Sequence, residues 1–329
     1  MKLSITNEFS AGAVGWYRGH GVIGHLPIEW KNPDNQNWVE MMDTSIQLLI
    51  RPWNQRFASL MYISEINGVP VWSDFDDDYL AIPEHNRAYP ILKKHEPNFE
   101  QITKEIIKTS KVVTVTTEYL KNKFSEFNPN TIIVPNAFND YRFKLPEVPS
   151  ENQKILWRGT DSHKMDLVHF NEPIKKVNHH SKDWEWYFNG NNLWWFTLGM
   201  KNTYEAEEVD IHIYFNALRE IQPSIVMVPL TDETFNHAKS NIAWIEATYA
   251  GATCLAPNFP EWRRDGVCNY NDEKDFRDKL EKLMNDVSYR RKFWYDSKKY
   301  IEENLLLSNV NKMRMNIINN FGRNQWKPL

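Results

Sequence analysis

The chain has 329 residues, a length that at roughly 150 residues per domain suggests about two domains. Its 39 basic and 43 acidic side chains give a net charge of −4, which excludes the global positive field that drives non-specific nucleic-acid binding. The N-terminus has no apolar core segment, and the sequence holds no run of 18 apolar residues. We therefore expect a cytoplasmic protein without a signal peptide or membrane span.

The first half of the chain alternates short apolar runs with helical patterns. Continuous apolar runs followed by helices are typical of buried parallel strands in an α/β sheet. The predicted strands are residues 2–6, 46–50, 69–73, 112–116 and 131–134, and the predicted helices are residues 55–66, 99–109 and 118–127. Two prolines then indicate a linker over 145–150.

A second alternation of the same kind follows the linker. It predicts strands at 154–157, 184–188, 224–228, 253–256 and 266–269, and helices at 214–220, 240–249, 273–285, 287–304 and 309–320. Two successive blocks predict two Rossmann-like, doubly wound domains that face a central cleft. We expect the first domain to span 1–145, with 305–329 crossing back onto it, and the second to span 152–304. Such folds bind ligands at the carboxyl ends of their strands, so the cleft is the expected site.

A cluster of glycines follows the first predicted strand. Four of the twelve glycines lie between Gly12 and Gly21. Glycine lets backbone N–H groups approach a ligand closely, and Arg18 is suited to pair with an anion. An ordinary strand-to-helix loop is the alternative.

An acidic run stands at the end of the third predicted strand. Asp74, Asp76, Asp77 and Asp78 repel one another, so the run requires a cation, a donor-rich ligand or a role as catalytic base. Asp76 and Asp78 also fit an Asp-x-Asp pattern that binds a divalent metal bridging a nucleotide diphosphate. A solvated acidic loop before a helix is the alternative.

The first strand of the second block leads into another candidate loop. Gly159 allows close backbone approach, while Arg158 and Lys164 supply positive charge for phosphates. A capped turn that starts a helix at Ser162 is the alternative.

The most specific pattern lies between residues 228 and 246. A strand, a loop and a helix beginning near Ser240 would bring Lys239, the Ser240 hydroxyl and the helix amides onto one anion, such as a diphosphate. Glu246 follows Lys239 by seven residues, about two helical turns, and is suited to bind ribose hydroxyls on the same face. A charge pair on a surface helix is the alternative.

Residues 235–252 read Phe-Asn-His-Ala-Lys-Ser-Asn-Ile-Ala-Trp-Ile-Glu-Ala-Thr-Tyr-Ala-Gly-Ala. This segment resembles the donor-binding signature of GT-B-fold glycosyltransferases of the "group 1", glycogen-synthase-like superfamily, Phe-Asn-x-x-Lys-Ser-x-x-Lys-x-x-Glu. Residues 12–18 resemble the glycine loop of that family, 115–120 and 134–137 the end of its first domain, and 158–163 the opening of its second. The resemblance implies transfer of a sugar from a nucleoside-diphosphate donor to an acceptor hydroxyl, with retention and without a metal or other cofactor.

The resemblance also assigns roles to residues. Those expected to bind the donor are Gly12, Gly15, Gly159, His163, Asn236, Lys239, Ser240, Asn241 and Glu246. Lys239 and Arg158 would stabilise the leaving diphosphate, and Asp77 or Asp78 would serve as base if the reaction inverts configuration. On the acceptor side we expect Tyr17, Arg18 and Asp76.

Two departures from the family leave the sugar and the stereochemical outcome open. Ala238 stands where many members carry the first glutamate of a Glu-x7-Glu pattern, and Ala243 replaces the second lysine. The acceptor is expected to be a glycan or a hydroxymethylated base in DNA, flipped into the cleft. Two other functions are weighed: a GT-A-type transferase whose Asp76 and Asp78 chelate a metal, and a non-catalytic nucleotide- or glycan-binding protein of the same fold.

Overall fold

Two parallel sheets organise the chain in the computed structural model, which describes residues 1–7, 12–32, 39, 42–190 and 193–321. The strands of the first sheet are β1 (Lys2–Asn7), β2 (Glu29–Lys31), β3 (Ile46–Ile50), β4 (Val71–Phe75), β5 (Val112–Val115) and β6 (Thr131–Ile133). Their spatial order is β2-β1-β3-β4-β5-β6, and every neighbouring pair is parallel. The order reverses between β1 and β3, so the chain winds both ways from that point.

The second sheet has the strand order of a Rossmann fold. Its strands are β7 (Lys154–Arg158), β8 (Glu185–Asn189), β9 (Thr203–Ala206), β10 (Ile225–Met227), β11 (Thr253–Pro257) and β12 (Val267–Tyr270). They lie in the order β12-β11-β10-β7-β8-β9, again all parallel. The switch point therefore lies between β7 and β10, where doubly wound sheets open a crevice for ligands.

Helices connect the strands. In the first half they are α1 (Ala13–Arg18), α2 (His20–Ile23), α3 (Gln55–Ile66), α4 (Ala88–His95), α5 (Phe99–Thr109) and α6 (Glu118–Ser125). In the second half they are α7 (Lys164–His169), α8 (Asn171–His180), α9 (Trp194–Thr197), α10 (Ile211–Ile221), α11 (Thr234–His237), α12 (Ile242–Ala250), α13 (Glu273–Asn285), α14 (Val287–Asn304) and α15 (Leu307–Phe321). None of the helices in the described part of the chain combines the length and apolar character needed to cross a membrane.

Both faces of each sheet are buried, which explains the uninterrupted apolar strands. In β3, Ile46, Leu48 and Ile50 belong to one hydrophobic cluster, while Leu49 belongs to another on the opposite face. The second sheet divides in the same way, with Leu156 in one cluster and neighbouring side chains of β7 in a second. Where polar residues interrupt a central strand, as Ser4 and Thr6 do in β1, they are buried as well, because neither face of these strands meets water.

The final helix packs against the first sheet. Leu307, Val310 and Ile317 of α15 share a buried cluster with Leu3 and Ile5 of β1. The segment before α15 forms a parallel bridge between Phe138 and Leu306. The domain limits expected at 145 and 152 remain a prediction.

Candidate functional site

A cavity opens at the switch point of the second sheet. Arg158, the last residue of β7, lines this cavity, and so does the loop 228–230, which follows β10. Its volume is about 170 Å³, and it receives side chains from both halves of the chain. We call it the first cavity, and its polar lining includes Asp76, Asp77, Arg158, His163, Lys239 and Ser240.

Glu246 carries a buried carboxylate that three donors engage. Its side chain is 5% exposed, in a helix (α12) whose residues 243–250 are all buried. Tyr17 Oη donates to Glu246 Oε1 at 2.6 Å, and Tyr214 Oη donates to Oε2 at 3.0 Å. The Arg158 guanidinium lies 2.6 Å from Oε2. Such a carboxylate is stable inside a protein only when paired and hydrogen-bonded, and these partners provide both.

The two tyrosines remain neutral donors. Burial raises the pKa of both phenols well above 10, and the adjacent Glu246 carboxylate raises it further. Burial opposes the charge of Arg158, but Glu246 outweighs it and raises the guanidinium pKa. The two tyrosines and Arg158 therefore remain donors to Glu246 through the physiological pH range.

A second cavity of about 270 Å³ adjoins this carboxylate. Glu246, Tyr214, Gly159 and Gly12 line it, together with the loop 207–211. Arg158 lines both the first and the second cavity. The guanidinium thus stands between a space that contains Glu246 and a space that contains Lys239.

Each carboxylate of the acidic run is paired with a basic side chain, and Arg51 is shared by Asp76 and Asp77. Arg18 binds Asp74 through Nε at 2.8 Å and Nη2 at 2.6 Å. The remaining pairs join Arg51 to Asp76, Lys239 to Asp77, and Lys123 to Asp78. The repulsion inferred from the sequence is therefore relieved by protein cations, drawn from positions remote from one another in the chain.

Asp78 and Asp77 differ in environment. Asp78 is fully enclosed, 2.6 Å from Lys123 Nζ, and burial raises the pKa of its carboxyl despite that partner. Burial also opposes ionisation of Asp77, but Lys239 and Arg51 outweigh it and lower the pKa of that carboxyl. Asp77 stays ionised and lines two cavities, whereas Asp78 is sealed against Lys123.

The helix that contains Glu246 begins later than the sequence predicts. We expected the helix to begin near Ser240, but α12 begins at Ile242 with Asn241 at its N-cap. Lys239 belongs to the preceding turn, and its Nζ lies 2.9 Å from Asp77 Oδ1. The helical-face argument for Lys239 and Glu246 is therefore wrong, and the two residues instead flank Arg158 from separate cavities.

Neighbours of Lys239 in the signature have different surroundings. The Ser240 hydroxyl accepts a hydrogen bond from Asn136 Nδ2 at 2.9 Å. Asn236 is buried and donates through Nδ2 to Asp166 Oδ1 at 3.0 Å and to Thr231. Its side chain thus fixes the loop after β10, while Ser240 and Lys239 line the first cavity.

The loop after β7 is anchored through Asp166. His163 Nδ1 lies 3.1 Å from Asp166 Oδ2, and the backbone N–H of Thr231 donates to Oδ1 at 2.9 Å. Burial opposes ionisation of Asp166, yet His163 and Thr231 outweigh it and lower its pKa. Gly159 lies under the Trp157 ring, where an added Cβ would stand 2.6 Å from a ring carbon. Close packing against Trp157 therefore favours glycine at that position.

The glycine-rich segment forms helix rather than loop. Gly12 is the N-cap of α1 and lines the second cavity, while Gly15 is buried within α1. An added Cβ at Gly21 would stand 2.3 Å from the Trp16 carbonyl oxygen, so this glycine permits α1 and α2 to pack. Of the expected acceptor-side residues, Tyr17 reaches Glu246, and Arg18 is enclosed against Asp74.

A larger groove of about 920 Å³ adjoins the first cavity. It is bounded by α4 and the start of α3, and Trp53, Tyr79 and Asn86 contribute to its walls. Arg51, Asp77 and Lys239 line both the groove and the first cavity. We call it the acidic-run groove, because Asp77 of the acidic run lines it as well as the first cavity.

Sequence analysis missed four residues of this site, namely Arg51, Lys123, Asn136 and Tyr214. Arg51 follows a buried parallel strand next to β4, which is the one indication available from the sequence. Its φ of 48° lies in the left-handed region, uncommon for a residue with a side chain. Tyr214 lies in the predicted helix 214–220, one of many apolar positions. Nothing in the local pattern marks it as a partner of Glu246.

A metal centre is not formed by the described side chains. Within residues 1–7, 12–32, 39, 42–190 and 193–321, no three histidine, cysteine or acidic side chains are grouped to hold a cation. Asp76 and Asp78, the pair of the Asp-x-Asp pattern, are bound to different cations, Arg51 and Lys123.

Comparison with models of protein families gives no match, and comparison with curated proteins gives none either. Solved structures do match. HepE of Anabaena, in complex with UDP and glucose, has a TM-score of 0.69 at 10% identity, over 97% of this chain and 99% of that chain. A glycosyltransferase from Rickettsia africae has a TM-score of 0.64 at 13% identity, over 98% and 99%.

A further match is a variant of S. aureus TarM in complex with fondaparinux, α-GlcNAc-glycerol and UDP. Its TM-score is 0.60 at 13% identity, and the alignment covers 83% of this chain and 55% of that chain. The chain thus spans about half the length of TarM and nearly the whole of the other two. The fold is GT-B, with two Rossmann-like sheets, as the sequence predicts. A GT-A fold, required by one alternative, is not what the chain adopts.

Proposed function

We propose that the protein is a glycosyltransferase that moves a sugar from a nucleoside-diphosphate sugar to an acceptor hydroxyl. The observation that carries this proposal is the position of Arg158, which lines both cavities. The second cavity contains Glu246, a buried carboxylate suited to bind ribose hydroxyls, and the first contains Lys239. A nucleoside diphosphate presents a diol, which suits the Glu246 carboxylate, and a diphosphate, which suits Lys239 and Arg158. HepE and TarM, which share the fold, contain UDP in their structures, which supports the same ligand class here.

The donor is proposed to lie across the two cavities. Its ribose hydroxyls bind Glu246 in the second cavity, and its diphosphate binds Lys239, Arg158 and the Ser240 hydroxyl in the first. Gly12 and Gly159 border the second cavity, where the absence of a side chain leaves room for the nucleoside. The donor roles of Gly15, His163, Asn236 and Asn241 remain predictions.

The transfer breaks the bond between the sugar anomeric carbon and the diphosphate oxygen, and it forms a bond from that carbon to the acceptor oxygen. Lys239 and Arg158 stabilise the negative charge that develops on the leaving diphosphate. With retention, the acceptor proton passes to the leaving diphosphate. With inversion it requires a protein base, and Asp77, which lines the acidic-run groove, is better placed than the enclosed Asp78. We propose retention, tested by the anomeric configuration of the product in NMR spectra.

The acceptor is proposed to be a glycan that occupies the acidic-run groove. Aromatic side chains such as Trp53 and Tyr79, with amides such as Asn86, combine the apolar and hydrogen-bonding surfaces that sugars need. TarM contains α-GlcNAc-glycerol in its structure. The hydroxymethylated DNA base remains a prediction, and the same donor with a DNA acceptor would test it.

Calorimetric titration tests the donor site. UDP, GDP and ADP are titrated into the wild type, Lys239→Ala and Glu246→Ala, with Lys292→Ala on the outer face of α14 as matched control. Loss of a hydrogen bond to a charged group costs about 1.5–3 kcal/mol, so each site variant should weaken binding about 10- to 100-fold. Unchanged affinity in both variants, or no binding of any of the three nucleotides by the wild type, contradicts the proposal.

Activity measurements complete the test. Release of nucleoside diphosphate from UDP-sugars by the purified protein distinguishes an enzyme from a non-catalytic binding protein. Equal rates in the presence and absence of EDTA are expected, since the proposed mechanism uses Lys239 and Arg158 in place of a metal. A rate abolished by EDTA and restored by Mn²⁺ contradicts that part of the proposal.

A further inference from the structure

Both cations assigned to the diphosphate are neutralised by carboxylates in the structure. Arg158 lies 2.6 Å from Glu246 Oε2, and Lys239 Nζ lies 2.9 Å from Asp77 Oδ1. This inference rests on the proposed function, in which a bound diphosphate competes with two protein carboxylates for Arg158 and Lys239. Glu246 gains a new partner in this competition, because in the proposed function the ribose hydroxyls replace Arg158.

Asp77 has a second partner that remains when Lys239 leaves. Arg51 Nη2 donates to Asp77 Oδ2 at 3.1 Å and to Asp76 Oδ2 at 2.7 Å. Loss of the Lys239 contact therefore frees only Oδ1, while Oδ2 keeps its donor. Arg51 therefore holds the carboxylate in place when Lys239 leaves.

Asp77 lies where the first cavity and the acidic-run groove adjoin. Asp77 lines both the first cavity and the acidic-run groove, and its side chain is 17% exposed. Of the other carboxylates, Asp74 is enclosed against Arg18, and Asp78 is fully buried against Lys123. Asp76 also lines the first cavity, but its partner, Arg51, belongs to the same half of the chain. Asp77 is the member of the run whose partner lies on the other half of the chain.

We propose that Asp77 changes partner when the donor binds and then contacts the acceptor directly. In the empty site Asp77 Oδ1 holds Lys239. The diphosphate, with more negative charge than one carboxylate, takes the ammonium group, and Oδ1 then accepts a hydrogen bond from the acceptor hydroxyl in the groove. Donor binding thereby completes the acceptor site, so the donor binds first.

Nucleotide affinity separates this role from a structural one. Asp77→Asn keeps the shape of the side chain but removes the charge that competes for Lys239. The nucleoside diphosphate that binds the wild type, chosen from UDP, GDP and ADP, should bind Asp77→Asn about 10-fold more tightly, a change of about 1.4 kcal/mol. Loss of a purely structural ion pair would weaken binding. Asp296→Asn, which changes an Asp–Lys pair on the outer helix α14, is the matched control and should leave the affinity unchanged.

Two further measurements secure the result. In a Lys239→Met background, the effect of Asp77→Asn on nucleotide affinity should vanish, because the competed cation is absent. Asp77→Ser, with folding checked by thermal unfolding, replaces Asp77→Asn if that variant does not fold. In transfer assays the Asp77 variant should show a lower donor KM and a higher acceptor KM.

The outcomes distinguish the two proposals. If the wild type binds none of the three nucleotides, the proposed function itself fails. If the wild type binds one of them and Lys239→Ala weakens it, but Asp77→Asn leaves binding unchanged or weaker, only the partner exchange is refuted. A tenfold gain that persists without Lys239 also refutes the exchange.

Discussion

The hydrogen bond from Tyr17 to Glu246 is expected to stabilise both the protein and its donor site. Tyr17 comes from α1, next to the first sheet, and Glu246 from α12, on the second, so the bond joins the two halves of the chain. Tyr17→Phe removes one hydroxyl and leaves the ring. Because Tyr17 is 5% exposed and Glu246 4%, water does not replace the lost donor. Oε2 keeps Tyr214 and Arg158, but Oε1 loses its 2.6 Å partner.

The expected cost is about 2 kcal/mol in the free energy of unfolding, since hydrogen bonds to charged groups contribute about 1.5–3 kcal/mol. Urea unfolding of the wild type, Tyr17→Phe, Glu246→Gln and the double variant gives the coupling energy between the two side chains. Tyr62→Phe is the matched control. Its ring on α3 is 66% exposed, and its hydroxyl removal should change stability by less than about 0.5 kcal/mol. A coupling energy below about 0.5 kcal/mol for Tyr17 and Glu246 would refute the reasoning.

Three other predictions follow from buried charges and thiols. Burial raises the pKa of Glu261 to about 7 despite Arg264, above the ordinary 4.5. The stability of the wild type relative to Glu261→Gln should therefore be greatest below pH 4.5 and fall by up to about 3 kcal/mol as the pH rises through 7. Thermal unfolding between pH 4.5 and 8 measures this, and a constant difference would contradict it. Arg18→Met leaves the buried Asp74 carboxylate without its bidentate partner and should cost about 3–5 kcal/mol in urea unfolding. A loss under 1 kcal/mol would show that the pair is dispensable. Burial raises the pKa of Cys268 to about 11 and that of Cys254 further, so both thiols should react with a thiol reagent at pH 8 only after unfolding. Rapid labelling of the native protein would argue against it.

Much of the fold could be predicted from the sequence because local chemistry fixes many element ends. The helices at 55–66, 273–285 and 287–304 begin and end in the structure at the predicted residues. Asn54, Asp272 and Asp286 each accept a hydrogen bond from a backbone N–H in the first turn. The central strands were identifiable because both of their faces are buried, so they lack the exposed polar residues of a solvated face.

Other elements leave no comparable pattern. The edge strands β2 and β9 are short, of three and four residues, and mostly exposed or half-buried, so their sequences resemble loops. The glycines after β1 suggested a flexible loop because glycine disfavours helices in isolation. At Gly21 the close approach of the Trp16 backbone outweighs that preference. Tertiary packing decides such cases, and a single sequence does not display it.

The residues of the candidate site were likewise predictable only in part. The signature from Lys239 to Glu246 indicated residues that do lie in adjoining cavities, and Gly12, Arg158 and Gly159 line the same spaces. Their partners could not be found from the pattern. Contacts between residues far apart in the chain leave no local periodicity. The ion pair of Arg51 with Asp76 and the hydrogen bond from Tyr214 to Glu246 could therefore be found only in the folded chain.

The acidic run illustrates why pairing determines function more than residue type. Four carboxylates within five positions have the same chemistry, yet three of them are held by cations of the first half, Arg18, Arg51 and Lys123. Those pairs lie within one sheet and its helices, so none of them has to separate when a ligand draws Lys239 away. Asp77 alone in the run is paired with a residue that approaches from the second sheet, and both members line the first cavity. A ligand that draws Lys239 away must therefore alter Asp77 while its neighbours stay fixed.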